Sequence, residues 1–174
     1  MTSTVEPAAD LLDSLLHIQP GTHLHAVRHA RSKVASATQG SHDVFFDPAL
    51  ENNLTLTERL WVAYYAARLT PHGTLTAHYL EQLHVLGADN TVQAAIDSGA
   101  IEALGDARLR GILRFTQTLI ESPVHGDQAA LQALQQEGLG TAEIVVLAQL
   151  IAFMSYQVRL AAGLDALLSA GAAR

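Results

Sequence analysis

The chain has 174 residues, an ordinary length for one compact domain. Hydrophobic residues make up 49% and charged residues 16%, enough apolar material for a sizeable core and too little charge for a disordered chain. The net charge of -7, with histidines neutral, repels phosphate backbones and anionic lipid, and the absence of cysteine excludes disulfides, thiolate nucleophiles and zinc–sulfur or CxxC chemistry.

Residues 1–20 carry Glu6, Asp10 and Asp13 and lack the positively charged start of a signal peptide, so a cytoplasmic location is expected. A first helix is predicted over 8–17, stopped by the Pro20-Gly21 turn. Short helices follow over 24–31 and 33–37. The stretch 39–53 mixes Gly, Asp, Pro and Asn with Val44, Phe45 and Phe46, and reads as a connector anchored by its aromatics. Thr55-Leu56-Thr57-Glu58 fits a capping box, and Leu60, Trp61, Tyr64 and Ala67 continue at helical spacing to about Leu69. Pro71-His72-Gly73 breaks this helix, and a second runs over 74–86 to Gly87, giving an antiparallel hairpin.

Asn90 reads as the next capped start, with a stop at Gly99. A helix over 107–120 closes at Ser122-Pro123, and Asp127 caps another that ends at Gly138. The longest helix begins at Thr141 and runs to about Leu168; its apolar first half suits the centre of a bundle or a subunit interface. The apolar run 144–154 gives way to Gln157 and Arg159, short of the roughly 18–20 residues of a membrane span, so no membrane partner is expected. No linker, repeat, P-loop, dinucleotide fingerprint or calcium loop divides or marks the chain. The expected fold is one all-α domain of seven or eight helices around a central antiparallel hairpin.

The polar groups able to carry chemistry are nine histidines, helix-borne carboxylates and four tyrosines. His25 and His29, at i and i+4, share a helix face and are compatible with a metal pair. No neighbouring carboxylate completes the set, so they read as a solvated pair, with neither metal nor cofactor expected. His17, His23, His42 and His125 carry no specific signal. The hairpin gathers Glu58, Tyr64, Tyr65, His72, His78, Tyr79 and His84. At helical rise, His78 lies about 9 Å from the turn, Tyr64 and Tyr65 roughly 10–12 Å and Glu58 around 20 Å. Either tyrosine then sits beside the imidazole, as a catalytic tautomer-fixing contact or as a satisfied core network. Glu58 divides likewise between helix cap and buried acid or base. Arg159 pairs with a carboxylate, lies on the surface or binds an anion. Nothing resembles an aromatic-and-basic nucleic-acid surface.

The segment 54–87, LTLTERLWVAYYAARLTPHGTLTAHYLEQLHVLG, and the segment RLRGILRFTQTLIESPVHGDQAALQALQQEGLGTAEIVVLAQLIAFMSYQVRLAAGLDAL resemble the carboxymuconolactone decarboxylase/alkylhydroperoxidase-like (AhpD-like) superfamily, in its peroxidase-related branch. The resemblance reaches from about residue 10 to 168, with a core over 54–168 and an N-terminal helical extension over 1–53. The family's redox members carry a glutamate on the first hairpin helix and CxxCxxxH on the second. Glu58 matches the glutamate and His78 the histidine, at a spacing one residue longer, while Pro71 and Thr74 occupy the cysteine positions. The resemblance therefore implies an all-α homo-oligomer, dimer or higher, in which the thiol peroxidase mechanism cannot operate. It implies acid–base chemistry on a small organic metabolite, with His78 as base or acid and Glu58 or Tyr65 orienting it. The alternative is a non-catalytic binding or assembly protein on a redox-inactive scaffold.

Overall fold

Polar side chains satisfy free backbone N–H groups at the start of most of the α-helices, though not of the one that begins at Ser32. The computed structural model describes residues 10–50 and 54–172, and among them the chain is all-α, without a strand. Three helices form the N-terminal part: α1 (Leu11–Leu15), α2 (His23–His29) and α3 (Ser32–Phe45). The hairpin follows as α4 (Leu56–Leu69) and α5 (Gly73–Val85), then α6 (Asn90–Asp97), α7 (Ala107–Glu121), α8 (Gln128–Gln136) and α9 (Thr141–Ala172). Single 3-10 turns, Ile101–Ala103 and Pro123–His125, flank α7. Asp10, Thr22, Asp89, Asp106 and Asp127 each accept from a backbone N–H in the first turn of the helix they precede. Asp89, not Asn90, caps α6. Residues 8 and 9 of the expected first helix lie outside the described residues.

The capping box at the start of α4 forms as expected: Glu58 N donates to Thr55 Oγ1 over 3.1 Å, and Thr55 N donates to Glu58 Oε2 over 2.7 Å. Beyond it, every residue from Arg59 to Ala67 is buried. A helix buried around its whole circumference must have neighbours on all sides, and α4 packs against α5, α7 and α9. Trp61, Tyr64, Leu75, Leu83, Ile112, Leu113, Leu147 and Met154 interlock in this core. At the hairpin turn, the His72 side chain caps α5 by accepting from Leu75 N.

One stretch departs from the sequence expectation. The region read as a connector after residue 38 is helical through Phe45, because α3 docks on α9. The Thr38 and Tyr156 hydroxyls lie 3.0 Å apart, and the Phe45 and Phe153 rings lie 5.5 Å apart. Tertiary contact thus overrides the weak helix propensity of Gly40 and Asp43. Helix α9 runs through Gln157 and Arg159 as expected, for 32 residues in all. Gln157 is a core residue whose Oε1 accepts from the buried Tyr79 hydroxyl over 2.6 Å. Arg159 is on the surface, folding back to donate to Ser155 O. By length and composition alone α9 is long and apolar enough to cross a membrane, with a mean hydropathy of 1.6 over its most apolar 18 residues, half of which are buried inside the bundle. The expectation that Gln157 and Arg159 leave the apolar run short of a span length is corrected on length and composition alone, and Gln157 is absorbed by the core.

Candidate functional site

The side chains singled out on the hairpin do not converge. Glu58 is held at the start of α4, where Oε2 completes the capping box and Oε1 accepts from Arg108 Nε over 2.7 Å. Arg108, near the start of α7, also donates to Glu143 Oε1 over 2.6 Å and to Gly138 O over 3.2 Å. Glu143 Oε2 accepts from Gly140 N, so this carboxylate fastens the α8–α9 turn. Burial alone would raise the Glu143 pKa; hydrogen bonds from Arg108 and Gly140 and the Arg108 charge outweigh it and hold the carboxyl below its usual range. Glu58 and Glu143 are two acceptors of one guanidinium.

Tyr65 is buried toward the far end of α4, and its hydroxyl makes no hydrogen bond among the described residues. Burial, with the Glu121 charge added, raises its pKa. Tyr64 points elsewhere, donating to Asp97 Oδ1 over 2.6 Å; burial and that contact push it up to about 12. Arg68, expected only to favour the helix end, reaches the same Asp97 oxygen at 3.3 Å. No hydrogen bond joins His78 to Glu58, Tyr64 or Tyr65 among the described residues.

His78 instead faces α3. It lines a half-open cleft of about 230 Å3, together with His42, Phe46, Leu56, Leu60, Tyr79, Gln82, Val85 and Leu86. The His42 and His78 ring centroids are 6.5 Å apart. Phe46 packs 4.9 Å from His42 and 5.2 Å from Tyr79, while Tyr79 meets His78 edge-on at 5.0 Å. The apolar lining is that of a small-molecule site, and the volume, just under the usual range for such sites, suits a small ligand.

Both imidazoles are biased toward the neutral form. Burial lowers the pKa of His42, opposed by the adjacent Asp43, whose Oδ1 lies 3.4 Å from His42 Nδ1, and by Asp10. Burial likewise lowers that of His78, and a charge on His42 lowers it further, with Glu81 opposing. A proton on His42 thus disfavours one on His78. The cleft thus holds two imidazoles with basic nitrogens at neutral pH, walled by aromatic and aliphatic side chains.

His42 was not distinguished by the sequence because the helix carrying it was cut short. Extending the 3.6-residue period through Thr38, His42, Phe45 and Phe46 would have placed it on a buried face. Arg59 was missed altogether. It is 2% exposed, and its guanidinium donates to the carbonyls of Phe45, Asp47, Leu54 and Thr55. An arginine serving backbone carbonyls leaves no local sequence trace. No protein-family model, curated protein or solved structure matches the chain, so its chemistry is argued from the cleft and the clusters around it.

Proposed function

We propose that the α3–α4–α5 cleft is an acid–base site for a small organic metabolite, on a cysteine-independent scaffold of the carboxymuconolactone decarboxylase/alkylhydroperoxidase-like type. The observation carrying this reading is the His42–His78 pair: two neutral-leaning imidazoles facing one solvent-connected apolar cleft. His78 serves as the base that takes a proton from a carbon acid, and His42, steadied by Asp43, as the group that holds or returns it. Phe46, Leu60 and Tyr79 shield the substrate carbon from water, and a substrate carboxylate gains a partner once either ring is protonated. Glu58 is not needed for this step, since its oxygens are engaged at the cap and by Arg108. Tyr79 holds the cleft wall through Gln157.

The test is solvent deuterium uptake by acetoacetate and by small carboxylated γ-lactones, followed by NMR. His78→Ala is expected to slow uptake by about 10²–10⁴-fold and His42→Gln by about tenfold or more, with Glu58→Gln close to wild type. Equal uptake by wild type and His78→Ala would overturn the assignment.

A second reading, assembly without catalysis, draws on the seam between α3 and α9. Val34, Val44, Tyr156 and Leu167 are exposed along it, and two apolar hollows share Tyr156. Its occupant would be a second copy of this chain. Sedimentation across a wide concentration range tests this reading: wild type dimeric or larger and Tyr156→Glu monomeric supports it, and a monomeric wild type refutes it.

A further inference from the structure

The sequence leaves His25 and His29 one helical turn apart with no acidic partner; the fold supplies one. Asp13 of α1 lies against α2, with Oδ2 2.6 Å from His29 Nε2 and 3.8 Å from His25 Nε2. We propose that Asp13, His25 and His29 form a binding site for a divalent transition-metal ion of the zinc type, far in sequence from the hairpin and independent of the cleft reading.

The geometry is that of a ligand set awaiting small adjustments. One ligand atom from each residue lies within 4.8 Å of the other two. Ligands bound at 2.0–2.2 Å in a tetrahedron sit about 3.4 Å apart, so side-chain rotations of an ångström or so complete the set. The two rings stack at a centroid distance of 4.3 Å and 29° between planes, and the Nε2 of each approaches Asp13 Oδ2. Two imidazoles with one carboxylate favour zinc, cobalt, nickel or copper over calcium or magnesium, which prefer oxygen. All three residues are only partly buried, so a fourth position is open to water.

A conflict among protons strengthens the assignment. The Arg28 guanidinium, 3.1 Å from His29 Nε2, can only donate, so this contact requires a lone pair on that nitrogen. Asp13 Oδ2, 2.6 Å from the same nitrogen, requires a hydrogen there instead. One nitrogen cannot satisfy both; a cation bound to Nε2 and Oδ2 takes the lone pair that Arg28 now faces and leaves Arg28 its carboxylate contacts. Arg28 plays the orienting part usual behind metal ligands. Its NH1 lies 3.2 Å from Asp13 Oδ1, leaving Oδ2 turned to the histidines. Its own charge is matched by a two-point contact with Asp10, at 2.9 and 3.0 Å, so Asp13 remains for the metal. Helices of five and seven residues are too short to be stable alone, and an ion bridging them fastens the N-terminal part of the chain.

The test uses the full chain without a histidine tag, stripped with chelator and titrated with Zn2+ by calorimetry and with Co2+ by absorbance. The expected result is one ion per chain, affinity lost on the order of 100-fold in His25→Ala and His29→Ala and about tenfold in Asp13→Asn, and no change in a His42→Gln/His78→Gln variant. His25 makes no side-chain hydrogen bond among the described residues, so His25→Ala keeps the fold and carries the result even where His29→Ala does not. Zn2+ should also raise the melting temperature of wild type but not of His25→Ala. Absence of stoichiometric binding, binding unchanged in His25→Ala, or binding lost with the cleft histidines would each overturn the proposal.

Discussion

Two polar regions flank the N-terminal end of α4, and they have opposite characters. On one side, Glu58, Arg108 and Glu143 engage one another and nearby backbone groups at 2.5–3.2 Å. On the other, His42 and His78 face a cleft, and His78 makes no hydrogen bond among the described residues. Charges with tight partners hold a fold together, while titratable groups turned toward an open apolar cleft keep their bonding capacity for something else. Glu58 and His78 therefore separate by partner: the glutamate belongs to the scaffold, and the histidine remains the candidate for chemistry.

Substitutions that break the scaffold side should cost stability and leave proton transfer intact wherever the protein folds. Arg59→Ala should have the largest effect, about 3 kcal/mol lost in a urea melt, because it strips donors from several carbonyls and empties a buried volume. Arg108→Ala should cost about 2 kcal/mol, since Glu58 and Glu143 would face each other without their shared cation. Glu58→Ala should cost about 1 kcal/mol through the lost cap, with little change in deuterium uptake. A stability loss of that size accompanied by a 100-fold activity loss would instead bring Glu58 into the site.

The cleft side is read through pH. Both imidazoles titrate below 6.5 in the folded chain and near 6.5 in the unfolded chain. As the pH drops, the unfolded chain takes up protons first, so stability present above pH 6.5 declines as the pH is lowered through that value. The His42→Gln/His78→Gln variant should flatten this slope between pH 7 and 5 in denaturant melts. The smallest effect belongs to Tyr65→Phe: its hydroxyl has no hydrogen bond to lose, so stability and deuterium uptake should both stay close to wild type.

What the sequence disclosed was local. The Thr55–Glu58 box, the break at Pro71-His72-Gly73 and the Asp127 cap rest on side chains reaching backbone groups two or three residues away. What it concealed depends on contacts across the fold. Helix α3 persists past Gly40 because Phe45 meets Phe153, 108 residues later. Asp13 completes the His25–His29 pair from a different helix. His42 becomes the neighbour of His78 only once α3 is laid beside α5, and Glu58 and Tyr65 leave His78 because α4 is surrounded and sends its side chains in different directions.

The Arg59 clamp has a consequence for what can enter. One edge of the cleft is the C-terminal turn of α3, ending at Phe45 and Phe46, and the opposite edge is the first turn of α4, beginning with Leu56. A single guanidinium ties the carbonyls that follow the first edge to those that precede the second. The α3 and α4 walls stay joined while those bonds hold, so any widening of the cleft for a guest has to come from the α5 wall that carries His78, Tyr79, Gln82 and Val85.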